Sequence, residues 1–409
     1  MRKGPIHPDA PSSSAAQRPV LVPAAVPLLS APSTPSRLAY LDNLKVGLIA
    51  GIIAAHAFNS YTDFGSWTYQ PVQEVAVSEV TETVFTVVTS FAGLFLMGLF
   101  FFISGLLTPP SIQRKGVPAF VNDRLLRLGV PFAAFTLLLW PLTVYLVREP
   151  IQHLGSYWWW FTHSDPFLDN GPMWFIGVLL AYSLGYAGWW VIRSRRAPGQ
   201  NGDGDVPLRA RTFVGFGATI AVTSFIIRLE FPANSGQVVN PHLWEWPQCL
   251  GMFIFGALCA RRAWLMPVSD RFRRRCGVIA LIAGLSVAAM PLTAESLGLD
   301  ENDYFGGFGW PSAAASIAEG ALVVSACIWT LAFAQRRLDR QGRLGKALAR
   351  SAYGAFLMQG PVLIPVAFAL RSFDLPAEVK AIVLAVIGVT ASFALAWPIV
   401  TRTPLRRIL

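Results

Sequence analysis

His56 is the side chain best suited to moving a proton. It lies in the apolar run Gly51-Ile-Ile-Ala-Ala-His56-Ala-Phe-Asn-Ser60. A neutral imidazole accepts a proton near neutral pH, as a general base acting on a hydroxyl must. Taken alone, a histidine in a helix is more often a packed, hydrogen-bonded residue. Lys45 precedes it by eleven residues, close to three helical turns and about 16 Å along the axis. The two side chains therefore project from nearly the same helix face. Arg124 and Arg127 are spaced i, i+3, so two guanidiniums share a face and can fork onto phosphate. Ordinary topology marking with snorkelling explains them as well. Glu319, Arg228 and Glu230 also fall in apolar runs, where ionisable groups are expensive and default to functional candidates. Glu319 fits a role in orienting His56, and equally a structural pair with Arg228.

The elements that position these side chains must be membrane helices. Of the 409 residues 54% are hydrophobic and 14% charged, with 14 Trp, 28 Phe and a mean hydropathy of +0.48; a soluble domain carries about 25% charged residues. A disordered chain is excluded and a soluble globular enzyme fits poorly. Ten apolar runs follow one another, at roughly 42–62, 83–107, 128–147, 172–192, 212–230, 245–261, 277–294, 313–335, 351–370 and 381–400. Each is read as long enough for about 30 Å of hydrocarbon. Period-two alternation is absent, which leaves helices. The expected fold is thus an all-α, polytopic membrane protein with about ten spans over residues 37–402. Residues 1–36, rich in Pro, Ala and Ser, read as a disordered cytoplasmic tail. Their apolar stretch Val20 to Leu29 is broken by Pro23 and Pro27, unlike a signal-peptide core. Residues 403–409 read as a short basic cytoplasmic tail, with no fused esterase-like outer domain.

Charge placement tests this topology. The net charge is +10, from 33 Lys and Arg against 23 Asp and Glu. With the first tail in the cytoplasm, every basic residue except Arg148, Arg228, Arg371 and Lys380 falls on the cytoplasmic side. That is the positive-inside pattern for ten spans with both termini inside, and it accounts for the charge without nucleic acid. The outer side is acidic (Asp63, Glu74, Glu79, Glu295, Asp300, Glu301, Asp303) and aromatic (Trp158, Trp159, Trp160). The aromatics fit an interface belt and also a surface for stacking sugar rings. Cys249, Cys259, Cys276 and Cys327 show no CxxC spacing; they read as apolar fillers, with no metal site expected.

Several motifs in order carry a resemblance. Leu41-Asp42-Asn43-Leu44-Lys45 with His56, then Phe101-Phe102-Ile103-Ser104-Gly105, then Arg124-Leu-Leu-Arg127-Leu-Gly-Val-Pro131, resemble the membrane acyltransferase-3 family. Gly171-Pro-Met-Trp174-Phe175 and Ala349-Arg350-Ser351-Ala352-Tyr353-Gly354 are similar to later family segments. Trp246-Pro247-Gln248 to Arg262-Ala-Trp264 is similar to the glucan biosynthesis protein C subgroup, and O-antigen acetyltransferases are also relatives in this reading.

The resemblance implies an acyl-CoA donor inside and a hydroxyl acceptor, such as a carbohydrate, outside, in the cell (inner) membrane. Acetyl-CoA or succinyl-CoA would serve as co-substrate, with no bound cofactor. The family's Arg-x10-His roles map onto Lys45 and His56, and its Arg-x-x-Arg onto Arg124 and Arg127, with Arg114 as a further donor contact. Asp42, Asn43, Ser104, Trp174, Glu319 and Tyr353 are weaker acceptor or supporting candidates. Two departures stand out. Lys45 replaces an arginine, keeping the charge and losing the planar fork; Gln359 stands where many members have histidine, and an amide does no acid–base work. The expected chemistry is attack of an acceptor hydroxyl on the thioester with His56 as base, an acyl-histidine intermediate being a variant. A proton-coupled secondary transporter of a small solute is the rival reading, since buried His, Glu and Arg would suit it. The ordered motifs and the lack of an obvious repeat between the halves favour the transferase.

Overall fold

The computed structural model describes residues 1, 4, 39–63, 67–164, 168–196, 210–233, 235, 241–262 and 268–408. The expected tail, apart from Met1 and Gly4, lies outside the described residues, as does Trp264. Among the described residues the chain is helical, with no strand. The helices are α1 (Ala39–Asn59), α2 (Glu79–Lys115), α3 (Val117–Gln152), α4 (Tyr157–His163), α5 (Trp174–Arg196), α6 (Ala210–Arg228), α7 (Trp246–Arg261), α8 (Asp270–Ala288), α9 (Met290–Leu297), α10 (Trp310–Arg337), α11 (Arg343–Leu370) and α12 (Ala377–Arg402).

Among the described residues, eight helices are long and apolar enough to cross a membrane: α1, α2, α3, α5, α6, α10, α11 and α12. The pair α8 and α9 passes only as one span bent by 43°. Pro291, in the first turn of α9, has no N–H to continue the α8 ladder, which accounts for the break. The protein is an all-α polytopic membrane protein. The run 245–261 differs from expectation in length. It forms α7, of 16 residues, about 24 Å long at 1.5 Å per residue, short of the roughly 30 Å hydrocarbon core. Among the described residues the ten apolar runs thus form eight full-length helices, one bent pair and the short α7.

Local sequence explains the irregular helix α3. Its backbone widens into π turns at Leu125–Gly129 and Phe135–Leu139. Pro131 and Pro141 would have donated to the carbonyls of Arg127 and Leu137, one inside each turn, and a proline has no proton to give. At the first turn the Tyr353 hydroxyl of α11 donates to the Arg127 carbonyl at 2.8 Å. Elsewhere helices meet through small residues. A Cβ on Gly105 of α2 would stand 2.0 Å from the Phe253 carbonyl oxygen of α7, and one on Gly256 would stand 2.1 Å from that of Phe102. Gly217 of α6 and Gly320 of α10 make a similar seam. Such backbone approach is how helices gain packing energy in lipid, where no hydrophobic force drives them together. α10 is the most enclosed of the long helices, and α1 packs against α2, α11 and α12.

The loop between α1 and α2 is fastened from outside itself. Lys380 Nζ of α12 lies 2.7 Å from Glu74 Oε1, and Arg371 reaches both Glu74 Oε2 (3.7 Å) and the Val72 carbonyl. Arg148 of α3 donates twice to the Thr68 carbonyl, at 3.0 and 2.6 Å. The Tyr69 hydroxyl donates to Glu74 Oε2 at 2.7 Å and is 3.2 Å from the Ala367 carbonyl. Three of the four basic residues that break the charge pattern thus hold this one loop, and the fourth, Arg228, pairs with Glu319.

Burial works against the charge on Glu74, but hydrogen bonds from Lys380 and Tyr69 hold its carboxyl below the usual 4.5. A carboxyl lowered by folding stabilises fully above its unfolded value and loses that contribution as pH falls through the folded one. The expected result is that hydrogen-exchange protection of residues 67–74, corrected for intrinsic rate, holds steady from pH 8 to 5. It then drops as the medium is acidified below about 4.5, and flat protection through that window would remove Glu74 as the fastener.

Candidate active site

His56 sits one turn from the end of α1. Its Nδ1 lies 2.9 Å from Oε1 of Gln359, a fully buried residue of α11. An amide oxygen only accepts, so Nδ1 carries the proton and Nε2 keeps its lone pair. The imidazole is stacked on Trp67 from the fastened loop, with centroids 4.4 Å apart and planes 12° apart. Trp67 in turn touches Trp140 of α3 (5.7 Å), whose Nε1 donates to Asp169 Oδ2 at 3.0 Å. Two glycines make room for Trp140. A Cβ on Gly360 would lie 2.5 Å from its ring and one on Gly171 2.3 Å, and Gly171 also has φ +49°, a region an L side chain rarely adopts.

His56, Trp67, Trp140 and Asp169 line a cavity of about 320 Å³. Further polar lining comes from the α6, α7 and α10 region, and from Asn59, Thr86, Thr89 and Ser90 on α1 and α2. His242 is stacked on Trp174 at 4.7 Å and 5°, and its Nδ1 is 3.8 Å from Glu245 Oε1. His242 has φ +51° at the start of the turn that leads into α7, an uncommon conformation for a non-glycine residue and one that clusters at functional sites. Arg228 and Glu319, both buried, pair at 2.7 Å, with Ser224 Oγ 3.4 Å from the Glu319 carboxylate. Glu319 lines the cavity as half of this pair, so the pairing with Arg228 is the arrangement seen.

The structure divides the residues singled out from sequence. His56, Trp174 and Glu319 reach the cavity. Lys45 does not line it and lies 3.6 Å from Asp42. Asn43 ties α1 to the chain beyond α10, donating to the carbonyls of Leu338 (2.7 Å) and Arg340 (2.9 Å). Arg124 rests over the Phe120 ring at 5.0 Å, Arg127 lies 3.2 Å from Asp123, and Arg114 is exposed near the end of α2. The Ser104 carbonyl accepts from Thr108 at 2.8 Å, and Tyr353 binds the Arg127 carbonyl. Nothing in the sequence pattern singles out Trp67, Asp169, His242 or Glu245. Gln359 drew notice only as a missing histidine, and its place as the partner of His56 had no signal. The four cysteines are buried and unpaired, and no metal-binding cluster of His, Cys, Asp and Glu exists among the described residues.

A half-buried imidazole that lines a cavity and keeps a lone pair can take a proton from a hydroxyl. The family model of an acyltransferase domain matches residues 38–401. The chain belongs to the acyltransferase-3 family. Neither the curated proteins nor the solved structures contain a match to it. In this membrane acyltransferase the matched stretch takes in every helix that lines the cavity. The same stretch includes the sites of both departures, Lys45 and Gln359.

Proposed function

We propose that this acyltransferase takes an acyl group from acyl-CoA on the cytoplasmic side of the cell membrane. It delivers that group to a hydroxyl of an extracytoplasmic glycan or similar acceptor, with both termini inside. The observation that carries the reading is His56 on the cavity wall with its Nδ1 2.9 Å from Gln359 Oε1, an acceptor that leaves the lone pair on Nε2. By helix alternation the Lys45 end of α1, the Arg114 end of α2 and the start of α3 with Arg124 and Arg127 share one side. Coenzyme A is polyanionic, so that basic side suits its nucleotide, while the pantetheine arm extends along α1 toward His56. The acceptor oxygen attacks the thioester carbonyl as His56 Nε2 takes its proton. The carbon–sulfur bond then breaks, and coenzyme A leaves as a thiolate that is protonated as the free thiol. Either acetyl or succinyl satisfies this scheme.

The test is release of coenzyme A thiol by membranes containing the full chain, dependent on added acyl-CoA, together with mass spectrometry of surface glycans with and without the protein. Thiol release with a matching ester on the glycan is expected. A glycan pattern that does not change and thiol release no greater than in control membranes would overturn the reading.

A further inference from the structure

We infer that the acyl group transferred is short and uncharged, acetyl rather than succinyl; this rests on the acyl-CoA reading above. The cavity's charges decide it. Among its described lining residues are three carboxylates, Asp169, Glu245 and Glu319, and one guanidinium, Arg228. The charge of Arg228 is already met by Glu319 at 2.7 Å. Glu245 is buried, its Oε2 lacks a hydrogen-bond partner, and His242 Nδ1 lies 3.8 Å from its Oε1. The other basic residues placed on this side, Arg148, Arg371 and Lys380, are held on the loop between α1 and α2. The segments 64–66, 165–167 and 236–240 contain no Lys or Arg and one Asp.

A succinyl group would bring a fourth carboxylate into this space. It would lose its water, and it would face like charges where the low dielectric strengthens their repulsion. An acetyl or butyryl group loses nothing of the kind, and the apolar and aromatic lining receives it. The volume of about 320 Å³ is near the lower end for ligand sites, which run from roughly 300 to 1,000 Å³, and it must also admit the acceptor hydroxyl.

The experiment compares acetyl-, butyryl- and succinyl-CoA as donors to membranes containing the full chain, with His56→Ala membranes as the blank and thiol release as the readout. Butyryl matches the carbon count of succinyl without its carboxylate. Acetyl and butyryl are expected to be used at least about tenfold better than succinyl by kcat/KM, a difference of about 1.4 kcal/mol. Glu245→Gln is expected to narrow the butyryl-to-succinyl ratio. Equal or preferred use of succinyl overturns the inference and leaves the acyl-CoA reading standing. Exclusion of butyryl together with succinyl makes length the selector and overturns the charge argument. Thiol release from none of the three overturns both.

Discussion

Replacing His56 with alanine lowers acyl transfer by about 10²- to 10⁴-fold, the range that a positioned general base supplies. The chain should remain folded, because the imidazole makes one side-chain hydrogen bond, to Gln359, and one ring stack, on Trp67. Thiol release measures the loss, and size-exclusion profiles and thermal unfolding in detergent show that the fold survives. Gln359→Leu belongs in the same experiment. It keeps the base and removes the oxygen that holds the proton on Nδ1, so transfer should fall by less than in His56→Ala, and the pH–rate profile should move. A His56→Ala protein that transfers at more than half the wild-type rate would take the base assignment away from His56. His242, the other imidazole in the cavity, would then be the residue to replace.

Removing one partner of the Arg228–Glu319 pair is the change with the largest effect on stability. Both side chains are buried, at 5% and 1% exposure, so deleting one leaves a bare charge in a low-dielectric interior. Such a deletion costs about 3–5 kcal/mol, whereas replacing both partners by apolar groups of similar size is often near neutral. Glu319→Ala and Arg228→Ala should each lower the thermal unfolding midpoint and the yield of folded protein sharply. The double replacement Arg228→Met with Glu319→Met should recover most of the loss. Retained transfer in the double variant makes the pair a matter of stability alone. Recovered folding without transfer means that the pair also touches the substrate. Single variants that unfold at the wild-type temperature would remove the pair from the stabilising interactions.

Much of this molecule could be read from the sequence, for reasons that differ from residue to residue. The helices were legible because lipid allows few alternatives, and a histidine in an apolar run stands out against 14% charged residues. Arg228 with Glu319 was legible as one of two possibilities. The bend between Ala288 and Met290 was not, because hydropathy averages over a proline. The shortness of α7 was legible, since the apolar run at 245–261 exceeds the helix by Glu245 alone. Gln359 is 303 residues from His56, and no local period reports a contact at that distance. Trp67 and His242 lie in loops, where neither helical nor strand periodicity applies. The four exceptions to the charge pattern were visible as exceptions, and only three-dimensional placement showed that each is tied to a specific acceptor.

The loop between α1 and α2 has a consequence for the order of assembly. His56 lies on the first helix to be synthesised, but the groups that complete its surroundings arrive last: Gln359 on α11, Arg371 after it and Lys380 on α12. A nascent chain holding only the first several spans would carry the histidine with neither its hydrogen-bond partner nor the fastened Trp67 above it. The surroundings of His56 are therefore complete only once the C-terminal helices have inserted. A chain arrested before Lys380 would keep the family's N-terminal motifs intact while its imidazole stayed unpositioned in the bilayer.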